Sequence, residues 1–238
     1  MGYDLIEVTP LAGALGAEIS GIDMAQPLGN QLFQEVHDAL IENQVIFFRD
    51  QDITPAQHVD FARQFGTLQV HPLVPHLDDH PEVLVLESKD EKRNAANAWH
   101  SDLTFSKEPP LGSILLARTV PERGGDTIWA DMYAAYEALS PAMKRYLDGM
   151  TAIHHAGGAQ FEKTHEKDDA RGGEVKEIKQ VIAPAEHPIV RTHPETGRKA
   201  LYVNSIFTQR IRGVTRKESR TILDHLLDHL RTPEFTCR

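Results

Sequence analysis

The chain has 238 residues, 40% of them hydrophobic and 25% charged, with a formal net charge of −10, an ordinary globular composition whose acid excess argues against general nucleic-acid binding. It holds no run of about 18 apolar residues to span a membrane, and Met1-Gly2-Tyr3-Asp4-Leu5-Ile6-Glu7 lacks the basic and apolar regions of a secretory signal. The single Cys237 excludes an internal disulfide and a cysteine-based zinc cluster, so the expected compartment is the reducing cytoplasm.

In chain order, the first fifty residues read as strand, turn, strand, helix, strand. Leu15 to Ile19 leads into Gly21-Ile22-Asp23. Gln31 to Glu42 places Leu32, Val36, Leu40 and Ile41 on one helical stripe. Gln44-Val45-Ile46-Phe47-Phe48-Arg49 is a short β-rich run. A helix over 55–65 is predicted from Thr54 as N-cap, Pro55 as first helical residue, and Phe61 and Phe65 as an i,i+4 apolar pair. Further helical signals cover 131–149 and 215–231. The last has Thr215 and Glu218 at capping-box spacing and a stripe of Leu223, Leu226, Leu227 and Leu230. Strand-like runs occur at 83–87, 112–118, 127–130, 188–192 and 200–204. Short strands with a few helices, lacking strict βαβ alternation, predict an α+β or β-sandwich core decorated by helices. Residues 157–180, polar and charge-dense after Gly157-Gly158, read either as a lid or as an idle surface insertion.

Charge is uneven. Residues 1–60 carry ten acids and one base, Arg49, whereas Arg210, Arg212, Arg216, Lys217 and Arg220 cluster late. That cluster reads as an attractor for a small anion or as a solvated helix start.

The pattern His-x-Asp occurs three times. His58 and Asp60 fall on the predicted helix, where i and i+2 do not face each other. His76 and Asp78 sit in a loop rich in Pro and Asp. Only His100 and Asp102, in Trp99-His100-Ser101-Asp102-Leu103-Thr104-Phe105, have strand-type neighbours. On a strand, i and i+2 share a face, and such a pair supplies two of the three ligands of a two-His-one-carboxylate iron site. The other reading is a surface histidine beside a turn aspartate.

Several segments, in order, make the chain resemble the taurine dioxygenase (TauD/TfdA) family of Fe(II)- and 2-oxoglutarate-dependent oxygenases. They are Gly16-Ala17-Glu18 with Gly21-Ile22-Asp23, Gln44 to Gln51, Phe65-Gly66, His71-Pro72, Trp99 to Phe105, Gly124-Gly125-Asp126-Thr127-Ile128-Trp129, His187 to Pro194 and Leu201-Tyr202-Val203-Asn204. The likeness runs from about Val8 to Arg238. It implies one α+β domain over 1–238 with a double-stranded β-helix, a jelly-roll or cupin-like core. It implies His100 and Asp102 as Fe(II) ligands and Thr127 as a donor to a carboxylate of the cosubstrate 2-oxoglutarate. The family's tryptophan-aspartate-asparagine segment, second iron-binding histidine and 2-oxoglutarate arginine have no match before Phe235-Thr236-Cys237-Arg238. The third ligand is therefore expected beyond Arg238, with the domain incomplete at its C-terminus. His225 and His229 are not assigned to that role.

The resemblance also implies a substrate site. His71 matches the family histidine that contacts a sulfonate. Val74 and Ala96, the latter beside Asn97, stand where taurine enzymes carry a tyrosine and an asparagine. Leu103, Phe161 and Phe207 are further pocket candidates, with a core role open for both phenylalanines. The expected reaction is O2-dependent hydroxylation of a small anionic organic substrate, releasing succinate and CO2, with an amine-free anion favoured over taurine. Family likeness also suggests a homodimer or homotetramer. Two readings compete with it: a metal-dependent hydrolase and a non-catalytic binding or assembly protein.

Overall fold

Val8 and Ile19 face each other across an antiparallel pair, β1 (Glu7–Pro10) with β2 (Ala17–Ser20). The computed structural model describes residues 2–71, 74–87, 98–156 and 182–238, and contacts divide the chain into two units. The first unit is Met1–Glu87, Ile114–Asp131 and Thr236–Arg238; the second is Ser88–Ser113 and Met132–Phe235.

In the first unit, β2 continues through α1 (Asn30–Asn43) to β3 (Ile46–Phe48), which pairs with it in parallel, Ala17 opposite Ile46. A parallel neighbour requires such a crossover, and the helix supplies it. Val36 and Ala39 are the buried face of α1. They pack with Ile6, Ala17, Ile19, Met24, Ile53 and Phe61 into one core. The second helix, α2 (Pro55–Arg63), starts as expected: Gln57 N donates to Thr54 Oγ1, and Thr54 N donates to Gln57 Oε1. Phe61 and Phe65 meet with ring centroids 5.4 Å apart. His58 Nε2 lies 3.0 Å from the Ile114 carbonyl, while Asp60 pairs with Arg63. The first His-x-Asp pair thus diverges on a helix. A two-residue strand, β4 (Trp129–Ala130), pairs antiparallel with the last strand, β10 (Thr236–Cys237).

The second unit centres on a three-stranded antiparallel sheet. Its middle strand is β5 (Thr151–His154), flanked by β6 (Ala185–Pro188) and β9 (Thr208–Ile211). A hairpin of β7 (Val190–Thr192) and β8 (Lys199–Leu201) stands beside them in sequence. Among the described residues the unit also holds three helices, α3 (Met132–Glu137), α4 (Pro141–Leu147) and α5 (Arg216–His229). Leu223, Leu226 and Leu230 bury the predicted stripe of α5 against Leu147, Ala152, Ile189, Leu201 and Ile211. The capping box closes its first turn: Glu218 N donates to Thr215 Oγ1, and Thr215 N donates to Glu218 Oε2.

Three expectations need correction. The helix over 131–149 is two helices, because Ser140 caps a new one through the Met143 N–H and Pro141 begins it. Residues 112–118 keep strand-like alternation, with Ile114 and Leu116 on the core and Leu115 exposed. They form no strand because no backbone ladder runs beside them among the described residues. In 83–87 only Leu84 forms a bridge, to His76. Residues 157–181, which hold the candidate lid and Phe161, and 88–97, which hold Ala96 and Asn97, lie outside the described residues.

Two substitutions on and beside α5 should separate packing from capping. Leu226→Ala should cost about 2–5 kcal/mol and Thr215→Ala about 1 kcal/mol, read as shifts in urea midpoint. Equal losses would contradict the burial assigned to Leu226.

Candidate active site

Trp99 to Phe105 is a turn rather than the expected strand. Residues 102–105 form it, Leu103 has φ 53°, and Ser106 N donates to the Leu103 carbonyl at 2.8 Å. The cause is visible in burial. Leu103, Thr104 and Phe105 are all buried, and a strand would send the middle one to the opposite face. Turning the chain at Leu103 lets three consecutive side chains leave solvent.

The turn nevertheless brings His100 and Asp102 together. Their Nε2 and Oδ1 atoms are 3.5 Å apart. Two ligand atoms each about 2.1 Å from one ion, in neighbouring positions, stand roughly 3–3.5 Å apart, so the pair fits a shared metal. The outer atoms are engaged. His100 Nδ1–H donates to the Ala98 carbonyl at 2.8 Å, which directs Nε2 toward Asp102. Ser113 Oγ donates to Asp102 Oδ2 at 3.3 Å. Outer hydrogen bonds of this kind orient metal ligands. Without a metal, the hydrogen bond to Asp102 raises the His100 pKa above its usual value, against a smaller opposing effect of burial. Among the described residues, no three His, Cys, Asp or Glu side chains gather where one ion could hold them.

Sequence reasoning missed the floor of this turn. Thr104 Oγ1 accepts from Asn204 Nδ2 and lies 3.0 Å from His154 Nδ1. His154 is fully buried, with its ring edge-on to His187 and near Tyr202. Its Nε2 meets no hydrogen-bond partner among the described residues. Burial, helped by the neighbouring His187, lowers its pKa to about 4. Asn204 was within a matched segment, which was a usable signal; His154 carried none.

The remaining candidates divide between the units. Phe207, in the second unit, packs its ring on Phe105 at 5.1 Å. In the first unit, Thr127 is exposed on the wall of a cavity of about 640 Å³ that also includes Arg49, Asp126, Trp129 and Arg238. Arg238 Nε donates to Asp126 Oδ2 at 2.6 Å. His71 Nδ1 accepts from Val74 N at 3.1 Å, which ties two candidate substrate residues into one loop. In the basic cluster, Arg212 pairs with Glu186 and Arg220 with Asp224, in keeping with a solvated surface.

The sequence model of the taurine catabolism dioxygenase TauD, TfdA family matches residues 7–238. The chain belongs to this family. As a TauD/TfdA protein it is an oxidoreductase, a dioxygenase dependent on Fe(II) and 2-oxoglutarate, which sets aside the hydrolase and the non-catalytic readings. It is 34% identical to an alkylsulfatase of Acinetobacter baylyi, over 98% of this chain and 73% of that one. It is 33% identical to an alpha-ketoglutarate-dependent sulfate ester dioxygenase of Pseudomonas putida, over 98% and 77%. The crystal structure of a taurine dioxygenase from Burkholderia xenovorans superposes with a TM-score of 0.80 at 36% identity, covering 98% of this chain and 75% of that one. The fold is accordingly the α+β double-stranded β-helix of the TauD/TfdA family. No helix among the described residues is long and apolar enough to cross a membrane.

His154 makes stability depend on pH in a defined direction. Its folded pKa of about 4 lies below the ordinary value of 6.5, so the unfolded chain binds the extra proton first as pH falls. The contribution is complete above about pH 6.5 and is lost toward pH 4, by at most about 1.4 kcal/mol per unit and about 3 kcal/mol in all. Urea unfolding of the native protein and of His154→Phe at pH 7 and pH 4.5 should show a flatter pH dependence in the variant. Identical slopes would rule out this source.

Proposed function

We propose that the protein hydroxylates a small organic anion without an amine: an alkyl sulfate, a longer sulfonate or an aryloxyalkanoate. His100 and Asp102 hold the Fe(II), and a histidine outside the described residues completes the ligand set. The observation that carries this reading is the pair itself, Nε2 and Oδ1 at 3.5 Å with the outer atoms hydrogen-bonded to Ala98 and Ser113. Iron, when bound, supplies the activation of O2 that couples oxidative decarboxylation of 2-oxoglutarate, giving succinate and CO2, to hydroxylation of a substrate C–H.

The side chains do the orienting. The Ala98 carbonyl fixes the His100 tautomer, and Ser113 steadies the Asp102 carboxylate. Thr127 donates its hydroxyl to a carboxylate of 2-oxoglutarate. His71 reads the anionic end of the substrate. Its Nδ1 accepts from Val74 N, which puts the ring proton on Nε2, a donor suited to an anionic oxygen. Val74 has no side-chain group to hydrogen-bond an amine. Leu103 and Phe207 are the further substrate candidates among the described residues, and Ala96, Asn97 and Phe161 lie outside them. The sulfate-ester chemistry named for two relatives supports the same choice. Hydroxylation at the carbon bearing a sulfate ester gives a product that collapses to a carbonyl and releases sulfate. The reading places residues 1–238 in one catalytic domain of a cytoplasmic homodimer or homotetramer.

Succinate release should be higher with hexyl sulfate or a phenoxypropionate than with taurine at equal concentration, and should require Fe(II) and O2. Taurine as the best substrate would overturn the amine-free assignment. Thr127→Val should weaken 2-oxoglutarate binding by about 10- to 100-fold, since a hydrogen bond to a charged group contributes roughly 1.5–3 kcal/mol. Unchanged 2-oxoglutarate titration would remove Thr127 from the site.

A further inference from the structure

We infer that Asn204 and Ser205, acting through Thr104 and the Trp99 carbonyl, form a clamp that sets the spacing of the His100 and Asp102 donor atoms. The inference rests on the assignment of that pair as metal ligands.

The anchors bracket the pair. Before His100, the Trp99 carbonyl accepts from Ser205 N at 3.0 Å and from Ser205 Oγ at 2.8 Å. After Asp102, the Thr104 hydroxyl accepts from Asn204 Nδ2 at 3.0 Å. Two consecutive residues therefore grip both ends of the six-residue span from Trp99 to Thr104. Asn204 is itself held: its Oδ1 accepts from Ile206 N at 3.1 Å and Phe207 N at 2.7 Å, and its own N–H donates to Thr208 Oγ1 at 2.9 Å. Thr104, Asn204 and the adjoining His154 are buried, so these bonds do not compete with bulk water. His187 adds a third hold, its Nε2–H donating to the Ser106 carbonyl at 2.9 Å.

The turn needs holding. Leu103, between Asp102 and Thr104, sits at φ 53°, a left-handed conformation that disfavours a branched side chain. Such a conformation persists when its surroundings over-determine it. With the Thr104 anchor released, Leu103 can relax toward extended backbone and carry the Asp102 carboxylate away from His100. Thr104, Asn204 and Ser205 act through the backbone on either side of His100 and Asp102; they are positioning residues.

The probe is Co(II), added anaerobically to the full chain and followed by its d–d absorption, with thermal unfolding of the metal-free protein measured in parallel. Thr104→Val keeps the shape and removes the hydroxyl. It should weaken Co(II) binding by about 10- to 100-fold, the range for lost outer-shell support. Thr104→Ser should restore binding to within about 3-fold of native, and the KM for the organic substrate should move less than the metal affinity. Ser205→Ala, which keeps the backbone bond to Trp99, should shift Co(II) affinity in the same direction by a smaller factor. It decides the matter if Thr104→Val does not fold. Native Co(II) affinity in a folded Thr104→Val, no recovery in a folded Thr104→Ser, or native affinity in Ser205→Ala when Thr104→Val is unfolded would each overturn the clamp. His100→Ala separates the two levels of the argument. If it binds Co(II) as the native protein does, the ligand assignment fails and the clamp with it. If it abolishes binding while Thr104→Val leaves binding intact, the clamp alone fails.

Discussion

The hydrogen bond from Asn204 Nδ2 to Thr104 Oγ1 joins residues one hundred positions apart, and it ties the turn that bears His100 and Asp102 to the chain that follows β8. A backbone reversal within a buried turn leaves polar groups that water cannot reach, and each must find a protein partner. Thr104 finds Asn204 and His154; Trp99 finds Ser205; Ser106 finds His187. The His100 imidazole and the Asp102 carboxylate are thereby carried above a hydrogen-bonded floor that includes the buried Thr104, His154 and Asn204.

The two units solve the burial problem differently. The first uses a parallel β2–β3 contact with α1 as its crossover, and its aromatic residues interlock: Phe48 meets Phe61, and Phe61 meets Phe65. The second covers a three-stranded sheet with the leucine stripe of α5. Its central strand is short and holds His154 as one of its two buried side chains. Placing an imidazole at the centre of a sheet has a cost, because one ring nitrogen stays without a partner among the described residues. The return is a rigid polar contact under the turn that bears His100 and Asp102.

The helices were legible because their signals are local. Thr54 and Pro55 start α2, Thr215 and Glu218 start α5, and the buried leucines of α5 fall at helical spacing. Strands β5 and β9 were not legible. One buries an alanine and a histidine, and the other exposes Gln209 and Arg210, so neither shows a hydrophobic alternation. The pair His100 and Asp102 could be singled out by residue type, but the conformation that joins them could not. A strand and a turn both bring i and i+2 near each other, and only the burial of Leu103, Thr104 and Phe105 together distinguishes them. The partners that enforce the turn lie fifty and one hundred residues away, beyond any local pattern.

Gly16 and Cys237 come from opposite ends of the sequence. A Cβ built on Gly16 would lie 2.6 Å from Cys237 Sγ, and Gly16 has φ +94°, so the strand beginning at Ala17 and the strand holding Cys237 fit together through a missing side chain. Long loops of this kind close slowly, because chain entropy is lost before contacts form. During synthesis the β1–β2 pair emerges early, yet β4 must wait for β10 while the intervening sheet and α5 leave the ribosome first. Pairing of β4 with β10 therefore follows synthesis of the β5, β6 and β9 strands and of α5, and the first unit draws on segments made before and after them.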